Sequence, residues 1–220
     1  MRRERRLRRG ADFSGVSIES HRLVLLRHGE TEWSKSGKHT GLTDIDLTDE
    51  GREQAKLAGT ALANLQLDDP LIISSPRRRA LLTAELAGVT VNEVSPLLAE
   101  WNYGDYEGLT TPEIRETVPD WMVWTHGCPG GESVADVSAR ADRAIEMAAM
   151  HLSTRDVVFV SHGHLSRSVL ARWADLPIVD GIRVSMTPAS IAVCGHEHGY
   201  RQITALGLTG HSHSHPHLPV

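Results

Sequence analysis

Leu23-Val24-Leu25-Leu26-Arg27-His28-Gly29-Glu30-Thr31 is the stretch whose reading decides the fold of this 220-residue chain. Four consecutive apolar residues predict a fully buried strand. An Arg-His pair follows at once, where the carboxyl end of a parallel strand opens into a crevice.

Two further apolar runs end the same way. Leu71-Ile72-Ile73 runs into Ser74-Ser75-Pro76-Arg77-Arg78-Arg79-Ala80, and Asp156-Val157-Val158-Phe159-Val160 into Ser161-His162-Gly163-His164. Helical segments separate them. Thr48 is a good N-cap, with Asp49 and Glu50 at the positive helix end and Ala55, Ala58, Leu62 and Leu65 recurring at helical spacing. Pro76 suits the first turn of a helix that stops at Gly88. Ser133 and Asp136 fit a capping box ahead of a helix with Val134, Val137, Ala141, Ile145, Ala148 and Leu152 on one face. Another helix is expected from Leu165 to Ala174. Val89 to Val94 reads as a third strand, with late strands at Ile191–Cys194 and Arg201–Ala205. The polar stretch Glu32 to Asp46 reads as a loop. The alternation predicts an α/β fold, a three-layer α/β/α sandwich around a mostly parallel sheet.

Residues 96–131 break the alternation. They hold Trp101, Tyr103, Tyr106, Trp121 and Trp124, five of the ten aromatic residues, interleaved with glycines and prolines. They read as a cover segment inserted over the carboxyl edge of the sheet. Trp121 and Trp124 are expected to pack rather than stack on bases, and Tyr103 and Tyr106 suit either core or pocket wall. The domain is expected to span residues 21–206. Residues 1–20, with six arginines in the first ten, read as a disordered basic extension, and residues 207–220, with four histidines, as a disordered tail.

Composition narrows function. The net charge is −5, although the first ten residues alone carry +5, so the body is acidic. A reader of nucleic-acid backbone needs a basic face, so nucleic acid is not an expected partner. No apolar run is long enough to span a bilayer, so no membrane partner is expected. Cys128 and Cys194 are far apart and outside any CxxC pair, which suggests inert thiols in a reducing, cytoplasmic setting. The basic start lacks the apolar segment of a secretory signal.

The strand ends suggest chemistry. Arg27, His28, arginines from 77–79 and His162 would converge on one crevice as an electropositive pocket. Guanidinium forks match phosphoryl oxygens in geometry. Such a pocket stabilises the charge spread over a transferring phosphoryl group. His28 is the expected nucleophile toward phosphorus, kept neutral by its arginine neighbours. The reaction needs an acid for the leaving alkoxide and a base for water, and Glu100 is the candidate for both.

Four blocks, Arg27-His28-Gly29-Glu30, Arg79-Ala80 with Thr83-Ala84, Glu100 with Tyr103-Gly104, and Ser161-His162-Gly163, stand in the order used by the histidine phosphatase superfamily. The chain resembles that family, also called phosphoglycerate mutase-like, over roughly Arg22 to Leu206. The resemblance implies that His28 is phosphorylated transiently and that Arg27, Arg79 and His162 clamp the phosphoryl group. It also implies that Glu100 is acid and then base, with substrate contacts at Thr40, Gly41, Gly163 and His164. Ser34 stands where cofactor-dependent mutases carry asparagine, but it can still donate a hydrogen bond to phosphate. Trp33 to Lys38 and Tyr103 to Gly108 look closest to phosphatase branches, among them fungal sedoheptulose bisphosphatase-like enzymes and mycobacterial acid phosphatases. The expected activity is therefore hydrolysis of a small phosphate ester, with a sugar phosphate suited to the loop lysines and Tyr103. No cofactor and no metal are expected. Phosphoryl transfer between phosphoglycerates and a metal-dependent hydrolase using His28, His162 and His164 are the alternatives. Lys35, Lys38 and His39 read as solvated loop residues. Oligomeric state is left open, a homodimer included.

Overall fold

The computed structural model describes residues 21–210. In chain order its strands are β1 (Leu23–Arg27), β2 (Leu71–Ser74), β3 (Glu93–Val94), β4 (Val157–Ser161), β5 (Ile191–Glu197) and β6 (Tyr200–Leu208). Its helices are α1 (Glu32–Ser36), α2 (Asp49–Asn64), α3 (Arg78–Leu86), α4 (Thr111–Arg115), α5 (Val123–His126), α6 (Val134–Ala149) and α7 (Gly163–Trp173). One six-stranded sheet runs in the order β3-β2-β4-β1-β5-β6. The first four of these are parallel, whereas β5 runs antiparallel to both β1 and β6.

Strand alternation splits the core in two, because successive side chains point to opposite sheet faces. Val24, Leu26, Ile72, Val158 and Val160 pack with Ala58, Leu62, Ala80 and Ala84 of α2 and α3. Leu23, Leu25, Ile73, Val157 and Phe159 pack with Val137, Ala141, Leu165 and Val169 of α6 and α7. The three layers are those expected. Trp101, Trp121 and Trp124 join the second cluster. The segment between β3 and α6 is therefore built into the main core through its aromatic residues.

Local signals account for most boundaries. Thr48 accepts a hydrogen bond from Gly51 N and starts α2, and Ser133 and Asp136 cap each other at α6. Five readings are corrected. The stretch after Glu30 is not all loop, since Thr31 and Ser34 form a capping box that nucleates α1. The third strand is only Glu93–Val94, because β2 offers β3 pairing partners at just Ile73 and Ser74. Pro76 lies before the N-cap Arg77 rather than within the first turn of α3. Helix α7 begins at Gly163, not Leu165, because Glu100 caps its first turn. The last strand continues through Gly207 and Leu208, paired with β5, so the boundary at 206 falls inside it. The basic extension and most of the histidine-rich tail lie outside the described residues.

Candidate active site

Strand register brings the site together. Arg27 is paired with Ser161 and Ser74 with Val160, so His28, Ser75 and His162 all follow directly from adjacent strand ends. His28 N donates to Ser161 O at 2.9 Å and Ser75 N to Val160 O at 2.9 Å. His28 and Ser75 are thereby fixed by main-chain bonds to β4, the strand that leads into His162.

His28 is 5% exposed. Its Nδ1 is 2.7 Å from Gly29 O. A carbonyl only accepts, so Nδ1 carries the proton and Nε2 keeps its lone pair. Burial first, then the charges of Arg79 and Arg27, hold the imidazole well below its ordinary range and keep it neutral. Gly29 N is in turn held by Thr83 Oγ1 at 3.0 Å. A Cβ on Gly29 would stand 2.3 Å from Gly51 O, so only glycine lets α2 approach this closely.

His162 is fully buried, with its ring edge-on to His28 at 5.1 Å between centroids. Arg79 Nε donates to His162 Nδ1 at 3.2 Å. Arg79 has no acceptor, so His162 must carry its proton on Nε2, which is 2.7 Å from Ser75 Oγ. The rest of the Arg79 guanidinium binds Thr43 O at 2.9 Å, Thr40 O at 2.9 Å and Gly41 O at 3.3 Å.

A cavity of about 270 Å³ opens over His28. Arg27, His28, Ser34, Thr40, Glu100, Tyr103, Gly163 and His164 line it. Arg79 and His162 sit behind this wall rather than on it. Gly41 is also outside the lining, and its N–H is taken by both oxygens of the Glu107 carboxylate at 2.9 Å. The Ser34 hydroxyl donates to Thr31 O at 3.0 Å and accepts from Thr31 N at 2.9 Å, so its donor serves the α1 cap.

Glu100 reaches the N-terminus of α7. Its Oε2 accepts from His164 N, and its Oε1 from Leu165 N and Trp101 N, all at 2.9 Å. It thereby caps a helix whose N-cap residue, His162, makes no side-chain cap bond. Arg27 Nη1 donates to Met186 O at 2.5 Å, while its buried Nε has no hydrogen-bond partner among the described residues.

The sequence reading missed part of the wall. His39, expected in solvent, is 8% exposed and bonded to Thr111 Oγ1 at 3.2 Å. Its ring lies 4.7 Å from Tyr103 and 5.2 Å from Trp121, and burial lowers its pKa to about 4. Tyr103 Oη is 2.6 Å from His164 Nδ1. Arg167 also lines the cavity, anchored by Nε to Gly181 O at 2.9 Å and lying 4.8 Å over the Trp124 ring. Helical spacing is the signal that marks it, because Arg167 stands three residues after His164 on the same face of α7. Burial pushes the Cys128 thiol up to about 12, and Cys194 is raised as well, so both are unreactive. Among the described residues no cluster of three or more His, Cys, Asp or Glu side chains is placed to hold a metal ion.

A strand-end histidine held neutral, an arginine beside it and a carboxylate in the same cavity define a phosphoryl-transfer site. Residues 23–209 match the family model of the histidine phosphatase superfamily, branch 1. An acid phosphatase of Mycobacterium tuberculosis is 64% identical over 89% of this chain and 97% of its own length. A sedoheptulose 1,7-bisphosphatase of Saccharomyces cerevisiae is 36% identical over 71% of this chain and 69% of its own. A solved structure of an open-reading-frame product of Mycobacterium tuberculosis superposes with a TM-score of 0.86 at 65% identity, covering 87% of this chain and 100% of that one. The chain belongs to the histidine phosphatase superfamily. It is a phosphatase of that family, whose general mechanism passes the phosphoryl group through a histidine.

Proposed function

We propose that this enzyme hydrolyses small phosphate monoesters, with His28 as the residue phosphorylated. The observation that carries the assignment is the 2.7 Å bond from His28 Nδ1 to Gly29 O at the floor of the cavity. It leaves Nε2 as the only lone pair on a ring that burial and two arginines keep uncharged.

In the first step His28 Nε2 attacks phosphorus, and the bond from phosphorus to the ester oxygen breaks. Glu100, in its protonated form, gives its proton to the departing alkoxide. In the second step water attacks the phosphohistidine, Glu100 takes the proton back, and inorganic phosphate leaves with His28 restored. Arg27 is the direct partner of the phosphoryl oxygens. Its unpartnered Nε is a donor waiting for an acceptor. Arg79 adds fixed positive charge from behind His28, and His162 buttresses the ring. Ser34, Thr40, Tyr103, Gly163 and His164 contact the substrate around this core.

The acid phosphatase relative supports a broad phosphomonoesterase activity, and the cavity volume supports a small leaving group. The acidic body argues against nucleic acid as a partner. No helix among the described residues is long and apolar enough to cross a membrane. With two buried free thiols, a cytoplasmic location fits best.

The test is phosphohistidine trapping. Rapid acid-free quench with a labelled phosphate ester is expected to leave base-stable, acid-labile phosphate on the wild type and none on His28→Ala. Near-normal phosphate release by His28→Ala would overturn the assignment.

A further inference from the structure

The segment that carries Glu100 has no regular secondary structure of its own. It joins a 3₁₀ turn at Pro96–Leu98 to another at Gly104–Tyr106. A general acid must nevertheless hold its oxygen to within a fraction of an ångström. The amides of Trp101, His164 and Leu165 hold the carboxylate itself, and something else fixes the backbone that carries it.

Arg140, on the buried face of α6, does so. Its Nη1 donates to Ala99 O at 2.6 Å and to Leu97 O at 3.1 Å, and its Nη2 to Glu100 O at 3.4 Å. The other edge of the same guanidinium grips Glu132, Nε to Oε1 and Nη2 to Oε2, both at 2.7 Å. Glu132 then closes the cradle from the far side. Its Oε2 accepts from Asn102 N at 2.9 Å, its N donates to Asn102 O at 2.9 Å, and its O accepts from Trp101 Nε1 at 3.0 Å. Every residue from Leu97 to Asn102 except Leu98 is held by these two residues, through side chain or backbone, and Leu98 O is taken by Ser161 Oγ at 2.9 Å.

The pair is mostly out of water, with side chains 9% and 21% exposed. A buried Arg–Glu pair is weak evidence for stability, since apolar residues often serve as well. Its donors here are aimed at the carbonyls of Leu97, Ala99 and Glu100, around one carboxylate, which packing alone does not require. We infer that Arg140 and Glu132 are positioning residues for proton transfer, acting through Glu100 to hold its carboxyl oxygen at the leaving group. This inference rests on Glu100 being the general acid.

Leaving groups separate this role from a merely structural one. An alkyl alkoxide needs a proton as it departs, whereas p-nitrophenolate leaves readily without one. The ratio kcat/KM reports events up to the first irreversible step, here loss of the leaving group. Glu132→Gln keeps most of the shape of the cradle but removes the ion pair, and Arg140→Lys cannot span three carbonyls and a carboxylate. Both are expected to lose at least tenfold in kcat/KM on an alkyl phosphate such as glycerol phosphate, and less than threefold on p-nitrophenyl phosphate. Adding either to Glu100→Gln is expected to cause little further loss on glycerol phosphate.

Equal losses on the two substrates, or losses that multiply with Glu100→Gln, would overturn the inference. Glu100→Gln alone is the control for the reading beneath it. If that variant shows no leaving-group dependence, Glu100 is not the acid. If it does and both Glu132→Gln and Arg140→Lys do not, only the positioning role fails. Should Arg140→Lys not fold, Glu132→Gln decides the question by the same ratio.

Discussion

The Arg27 guanidinium carbon lies 3.2 Å from the point where a Cβ on Gly163 would stand. Arg27 has nowhere to retreat, because its Nη1 is already 2.5 Å from Met186 O. Gly163 therefore sets the position of the arginine proposed to meet the phosphoryl group. Gly163→Ala is expected to push Arg27 by a few tenths of an ångström. Misplacement on that scale is felt strongly in catalysis, so kcat/KM should fall about tenfold or more. Stability should change by less than about 1 kcal/mol, since the site faces a cavity. Steady-state kinetics beside urea denaturation test both halves, and unchanged kinetics would contradict the placement.

Arg79 is fully buried and spends its guanidinium on Thr40 O, Gly41 O, Thr43 O and His162 Nδ1. It holds residues 40–43 to the rest of the site. In Arg79→Lys one ammonium cannot reach these separated acceptors, and several stay buried without partners. Each orphaned group costs about 1–3 kcal/mol. A loss of about 2–4 kcal/mol in unfolding free energy is expected, together with a large fall in activity. A variant of wild-type stability would show that the guanidinium is not the anchor described.

Three buried histidines and the half-buried His164 set the response to acid. Burial is the leading cause that depresses His28, His162 and His164 well below 6.5 and His39 to about 4. Unfolding exposes rings that take up protons near 6.5, so below that value the unfolded state binds more protons than the folded one. The stabilisation is complete above about pH 6.5. It declines as pH falls, each histidine contributing roughly 1.4 kcal/mol per pH unit inside its window. For His39 the window closes near 4. Urea midpoints measured from pH 7.5 to 4.5 should drop steadily, and a flat series would refute neutral burial.

Tyr103 and His164 meet at 2.6 Å inside the cavity wall. Tyr103→Phe removes the partner of His164 Nδ1, which is half-buried, so the lost hydrogen bond costs about 0.5–1.5 kcal/mol. Neither group is proposed to touch phosphorus, so KM should rise several-fold while kcat changes less. A fall confined to kcat would instead place the pair at the reacting bond.

Much of the fold was written in short-range patterns. The apolar runs at Leu23, Leu71 and Val157, the caps at Thr48 and Ser133 and the apolar stripe of α6 each needed only neighbouring residues to be read. Helix α1 escaped because four of its five residues are polar and Trp33 alone makes no apolar face, and it rests on the Thr31–Ser34 capping box. His39 escaped for a different reason. Its neighbours Lys38 and Thr40 are polar, and what buries it is the packing of Tyr103 and Trp121 from more than sixty residues away.

The sequence by itself determined the layers, the strand ends that carry Arg27, His28 and His162, and the family. Those follow from periodicity and residue order, which the chain states locally. Only the tertiary structure decided that Arg79 serves the loop at Thr40–Thr43 from behind the cavity wall, that Arg167 enters that wall and that Arg140 with Glu132 cradles Glu100. Three consecutive arginines look alike in a line of letters. Which one is buried, and against which carbonyls, is fixed by where the sheet brings distant backbone to meet it.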